Sequence, residues 1–225
     1  MSIAENLRRV QERMAEAALR VGRSPEDVVL VAATKGRTPE EIEEAIRVGV
    51  EVVGENRVQE AEAKFPYIRL PFRKHMIGHL QRNKVKKALK LFDVIQSVDS
   101  FRLGEEISKR ALHRTVEVLV EVNTSGEETK FGVSPEGTVD LVGRLLELEG
   151  IFVSGLMTIG PLTEDEGEVR RAFSLLRELR ERAERELGVH LPVLSMGMSG
   201  DFEVAIEEGS TMVRIGTAIF GPRPS

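Results

Sequence analysis

The chain has 225 residues, of which 41% are hydrophobic and 31% charged, and a formal net charge of -5. That is enough chain for one sizeable core, so residues 1–225 read as a single domain, and the acidic balance argues against a general polyanion binder. Cysteine is absent, which excludes disulfides, thiolate catalysis and Cys-ligated zinc.

Ile3, Leu7, Val10, Met14, Ala17 and Val21 recur at helical spacing, so an amphipathic helix precedes the first strand. The same segment carries Glu5, Arg8 and Arg9 and has no apolar h-region. No signal peptide is therefore expected, no stretch approaches membrane-spanning length, and a cytoplasmic protein is the expectation. Apolar runs then follow at 28–33, 50–53, 75–77, 92–96, 116–122, 151–156, 192–195 and 212–215. Helical patterns lie between them. Thr38-Pro39-Glu40-Glu41 has a cap, a proline at the first position and early acids. Ser100 precedes a helix to about Ala111, and Ser134-Pro135-Glu136 reads as another helix start. Glu166 to Leu187 is long and charge-laced, with Val169, Phe173, Leu176 and Leu179 as its inner stripe. Ser199 reads as the cap of a helix carrying Phe202, Val204 and Ile206, which Gly209 ends.

Strands alternating with helices in this number predict an α/β fold, a (β/α)8 TIM barrel with an extra N-terminal helix. A doubly wound open sheet is the alternative. The chain has neither a dinucleotide fingerprint nor a Walker A sequence.

Barrel chemistry sits at the C-terminal ends of the strands. The first strand exits into Lys35, and a buried ammonium must be paired, exposed or employed. A lysine in such a place is the usual means of forming a Schiff base with an aldehyde; the plain alternative is a solvated strand-exit lysine. The last two exits carry Ser199, Gly216 and Thr217 at the position where barrels often hold phosphate. An amine and a phosphate site in one barrel mouth point to a phosphorylated aldehyde, and pyridoxal 5'-phosphate fits. Arg214 shares a strand face with Gly216, which makes it the candidate partner of the pyridine nitrogen, with a rim salt bridge as its rival role. His75 and His79 have the spacing of a helical metal pair, but Gly78 places them at a strand exit. Residues 69 to 90 hold eight Lys or Arg and no acid. With Phe72 as its one Phe, Tyr or Trp, the run lacks a series of interleaved stacking aromatics and reads as a solvated face rather than a nucleic-acid site.

Ala33-Thr34-Lys35, Gly54-Glu55-Asn56-Arg57-Val58-Gln59-Glu60, His75 to Gln81, Lys130-Phe131-Gly132, Gly155-Leu156-Met157-Thr158, Leu194 to Ser199 and Val213 to Gly221 run along nearly the whole chain. In these segments the chain closely resembles the pyridoxal-phosphate homeostasis proteins, the YggS/PROSC-type family. That family is similar in fold to the barrel of alanine racemase, the type III pyridoxal-phosphate fold. The resemblance implies that Lys35 carries the cofactor as a Schiff base, that Ser199, Gly216 and Thr217 hold its phosphate, and that Arg214 approaches its ring nitrogen. Asn56, Ser195 and Met196 are implied as further pocket residues. It also implies a role in binding pyridoxal phosphate and delivering it to apo-enzymes. The racemases use a tyrosine from a second domain as their other base. Here the only tyrosine, Tyr67, precedes the third strand and is expected at the opposite end of the barrel, so a low-activity racemase is the alternative and a non-enzymatic carrier the main reading. A monomer is expected.

Overall fold

The structure is a computed structural model that describes residues 2–111 and 114–222. His113 and the outermost residues of the 1–225 span lie outside the described residues. Eight parallel strands close in sequence order: β1 (Val29–Ala33), β2 (Val52–Glu55), β3 (Arg73–Met76), β4 (Val94–Val98), β5 (Val116–Glu121), β6 (Ile151–Met157), β7 (Val193–Ser195) and β8 (Met212–Ile215). β8 pairs back onto β1 through Val29↔Met212 to Ala32↔Ile215, so the sheet has no edge and the open-sheet alternative is ruled out. The helices are α1 (Ile3–Arg20), α2 (Pro39–Arg47), α3 (Val58–Lys64), α4 (Val85–Leu91), α5 (Phe101–Ala111), α6 (Thr138–Leu146), α7 (Glu166–Leu187), α8 (Phe202–Glu207) and α9 (Thr217–Phe220). Among the described residues no helix is long and apolar enough to cross a membrane.

Local chemistry explains most boundaries. Thr38 caps α2 in a capping box with Glu41, and Pro39 fills its first position. Asp165 caps α7 by accepting from Gly167 and Glu168 N–H. One helix start differs from expectation. α6 begins at Thr138, not at Ser134-Pro135-Glu136, because Ser134 Oγ and its carbonyl oxygen engage Gly137 N–H and Thr138 Oγ1 in a local turn.

Alternation sorts the strand residues into two cores. Outward residues such as Ala32, Val53, Leu194, Val213 and Ile215 pack with the helices in one large cluster. Inside the barrel, Val31, Val52, Ile77 and Met212 form a separate small cluster. α1 lies against α8 and α9 beside the β8–β1 seam. There Asn6 Nδ2 donates to Ile219 O at 2.9 Å, and Arg13 and Arg20 pair with Glu203 and Glu207 at 2.6 and 2.9 Å.

Candidate functional site

A cavity of about 360 Å³ opens at the C-terminal ends of the strands. Lys35, Asn56, Ser199, Arg214, Gly216 and Thr217 all line it, although they come from the exits of β1, β2, β7 and β8 and from β8 itself.

Lys35 lies just beyond β1, between two anchored neighbours. Thr34 is fully buried, and its N–H and Oγ1 donate to Gly54 O at 2.9 and 3.2 Å. Gly36 N–H donates to Glu60 Oε2 at 3.1 Å. Among the described residues no carboxylate pairs with the Lys35 ammonium. Asn56 is held at the cavity wall by the chain of β3: a Cβ at Gly78 would stand 2.3 Å from Asn56 O, so only glycine permits this approach.

Beside Lys35, the exits of β8, which pairs with β1, and of β7 expose backbone. No acceptor among the described residues takes the N–H groups of Ser199, Gly200, Gly216 or Thr217. Donors left free beside a cavity form an anion-binding concavity. A Cβ at Gly216 would come within 3.0 Å of Ala33 O, on the cavity side of β1. Ser199 does not cap α8 as expected. The N-cap is Asp201, whose Oδ1 accepts Met198 N–H, whereas Ser199 Oγ accepts Ala218 N–H at 3.2 Å and ties the two exits together.

Arg214 points inward from β8 and is only 4% exposed. Nη1 donates to Ser195 Oγ at 2.6 Å and Nη2 to Thr158 O at 2.7 Å. Among the described residues the rim salt bridge is not formed. Burial pulls its guanidinium down to about 10, against the pull of Glu121 and Asp201, so it stays charged at neutral pH. Burial is also the main reason the Glu121 carboxyl is pushed up to about 7, with Asp99 adding to it.

Two of the expected pocket residues lie elsewhere. Ser195 is inside the barrel but supports Arg214 rather than lining the cavity. Met196, its neighbour, faces the other way and is buried with the helices, as strand alternation requires. Arg37, Ile77, Met198 and Gly200 line the cavity without having been anticipated. Arg37 is 6% exposed and donates to Gly221 O, joining the β1 exit to the end of α9; a buried arginine two places from Lys35 leaves no signature in the sequence alone. His79 lies at the rim, stacked on Phe131 at 3.7 Å between centroids with Nδ1 3.5 Å from Asp99 Oδ2. Tyr67 is 71% exposed in the turn before β3, away from the cavity. In the basic run, Arg73 pairs with Glu117 and Lys87 with Glu62.

An unpaired primary amine, a cradle of free N–H groups and a buried fixed cation around one small cavity suit a phosphorylated aldehyde with a basic ring nitrogen. This defines a (β/α)8 barrel of the strand-one-lysine class. Residues 2–224 match the family described as alanine racemase, N-terminal domain. The chain is 49% identical over 226 residues to the pyridoxal phosphate homeostasis protein of Aquifex aeolicus, covering 99% of each. PipY of Synechococcus elongatus, whose structure was solved with PLP bound, is 34% identical with a TM-score of 0.85, covering 98% of this chain and 100% of that one. Alanine racemase from Corynebacterium glutamicum shares the fold at 17% identity and a TM-score of 0.77, covering 98% of this chain and 61% of that one. The chain belongs to the alanine racemase N-terminal domain family and, within it, to the pyridoxal phosphate homeostasis proteins.

Proposed function

We propose that this protein binds pyridoxal 5'-phosphate as a Schiff base on Lys35 and carries it, as a cytoplasmic monomer of one barrel domain, for delivery to apo-enzymes. The observation that carries the reading is that Lys35 and the Ser199–Gly216–Thr217 backbone cradle line one cavity. The PLP-bound structure of PipY supports it. When bound, the cofactor supplies an electron-withdrawing ring conjugated to the attached nitrogen. Lys35 provides the amine, the free N–H groups and Ser199 receive the phosphate, and Arg214 presents a permanent positive charge. A ring nitrogen beside that charge stays unprotonated, which weakens the ring as an electron sink and favours holding over turnover. The placement of Tyr67 away from the cavity favours a carrier over a racemase.

The test is an absorption spectrum with added pyridoxal phosphate, then borohydride reduction and peptide mapping. A visible band and a phosphopyridoxyl group on Lys35 are expected. No band, or labels scattered over surface lysines and unaffected by Lys35→Ala, would sink the reading. Carrier and weak racemase separate on Lys35-dependent amino-acid turnover, and light scattering on a sizing column reports the oligomeric state.

Gly216→Val adds a second prediction. Its side chain would crowd Ala33 and the anion cradle. Affinity for pyridoxal phosphate should fall about tenfold, equivalent to about 1.4 kcal/mol, with affinity for pyridoxal, which lacks the phosphate, little changed. Equal losses for both compounds would mean that the cradle does not read the phosphate.

A further inference from the structure

Beneath Arg214 a chain of buried side chains runs down the inside of the barrel. Ser195 Oγ is 2.6 Å from Arg214 Nη1 and 2.6 Å from Gln96 Oε1, and Gln96 Nε2 is 2.8 Å from His75 Nδ1. Ser195, Gln96 and His75 are each no more than 1% exposed. Such a chain has one consistent arrangement of protons. Arginine only donates, so Ser195 Oγ accepts from Nη1. The single serine proton then goes to Gln96 Oε1. With Oε1 facing the serine, Gln96 Nε2 faces the imidazole and donates to Nδ1. His75 therefore carries its proton on Nε2, which is buried and has no partner among the described residues. Rotating the Gln96 amide would leave the serine proton without an acceptor. Burial, with Arg73 nearby, holds the His75 imidazole down to about 3, so it is neutral as this role requires.

A barrel interior can be filled with apolar side chains, and a wholly polar column is an expensive filling unless its members are fully satisfied. This column spends its one unsatisfied atom at the far end, on His75 Nε2, and delivers its order to the charged group at the cavity.

We infer that Gln96 and His75 are positioning residues which, acting through Ser195, fix the guanidinium of Arg214 against the cavity. The binding consequence rests on the cofactor reading above; the ordering of the chain does not.

The experiment uses the full protein with Gln96→Leu and Gln96→Glu. In free wild-type protein, nitrogen NMR should show His75 protonated on Nε2, and separate Arg214 Nη signals from a guanidinium that does not rotate. In Gln96→Leu the Arg214 signals should merge, affinity for pyridoxal phosphate should fall about tenfold, as for loss of a bond supporting a charged group, and the pH midpoint of the bound-cofactor band should move. Gln96→Glu is isosteric and keeps the serine's acceptor, and once its carboxyl is ionised it cannot donate, so at alkaline pH His75 should move its proton to Nδ1 while Arg214 stays ordered. A merely space-filling column predicts a lower melting temperature in Gln96→Leu with the Arg214 signals, affinity and band unchanged, and that result would overturn the inference. So would a wild-type His75 protonated on Nδ1. If Gln96→Leu does not fold, the proton shift in Gln96→Glu, present or absent, decides. If wild-type protein takes up no cofactor, the cofactor reading fails, while the two NMR signatures in free protein still decide the chain.

Discussion

Lys64→Met is expected to destabilise the protein by about 3–5 kcal/mol at pH 8, the usual consequence of removing one partner from a buried ion pair. Glu55, at the end of β2, is completely buried, and its Oε1 accepts from Lys64 Nζ at 2.8 Å and from Thr34 Oγ1 at 3.2 Å. Lys64 Nζ also donates to Thr34 O at 3.0 Å and Glu60 Oε2 at 2.9 Å. Burial above all pushes the Glu55 carboxyl up, with Glu60 adding to it, while Lys64 and the Thr34 hydrogen bond pull it down; Oε2 has no partner among the described residues. Without Lys64 only the Thr34 hydrogen bond opposes the upward push of burial and Glu60. The folded carboxyl then titrates well above its unfolded value, so stability is lost as pH rises from the unfolded value through the folded one. The deficit of Lys64→Met should therefore be smaller at pH 5 than at pH 8. Adding Glu55→Gln should recover most of it, since the charge that needed a partner is gone. Urea unfolding of the single and double variants at the two pH values measures this, and a loss under about 1 kcal/mol at pH 8 would mean that the pair is not a stabilising element.

The same cluster explains why Lys35 is available. Thr34 and Gly36, on either side of it, are both held by the Glu55–Lys64–Glu60 group. The loop is fixed by neighbouring charges, so Lys35 itself need not be. Lys64→Met should accordingly slow capture of pyridoxal phosphate as well as weaken the fold.

The outline of the barrel was legible because buried parallel strands are continuous apolar runs, and all eight runs overlap observed strands. Lys35 and the β8 exit were legible because barrel geometry assigns strand exits to the site before any contact is known. Residues whose role depends on register were harder. Val116-Glu117-Val118-Leu119-Val120-Glu121 alternates so that both glutamates share a face, a signal of inward carboxyls that was present in the sequence. Gln96 gave no such signal: the register of β4 with β5 shifts between Ile95 and Val98, and its partners come from β3, β7 and β8. At Ser199 the local capping rule pointed to the serine, but the helix starts after Asp201 and Ser199 Oγ instead accepts Ala218 N–H, a tertiary contact that the local sequence does not show.

Glu121→Gln should change how stability depends on pH, with the largest gain at alkaline pH. Glu121 is 4% exposed, its Oε2 is unpartnered among the described residues, and burial above all holds its carboxyl at about 7. An unfolded glutamate titrates at about 4.3. Between those values the folded chain binds more protons than the unfolded one, so wild-type stability falls as pH rises through this window and levels off above it. A displacement of that size corresponds to about 4 kcal/mol. Glutamine keeps the shape and cannot ionise. The stability difference, variant minus wild type, should grow by about 3 kcal/mol from pH 4 to pH 8, most of it before pH 7. Parallel profiles would show that Glu121 ionises normally and that its burial is relieved in solution. The exchange also removes a countercharge from Arg214, which Glu121 and Asp201 together help to hold protonated. With that carboxylate gone, more of the arginine's charge is left for an anionic ligand, so above pH 7 the variant should also hold pyridoxal phosphate more tightly than wild type, and below about pH 5, where both carry a neutral group, the two should bind alike.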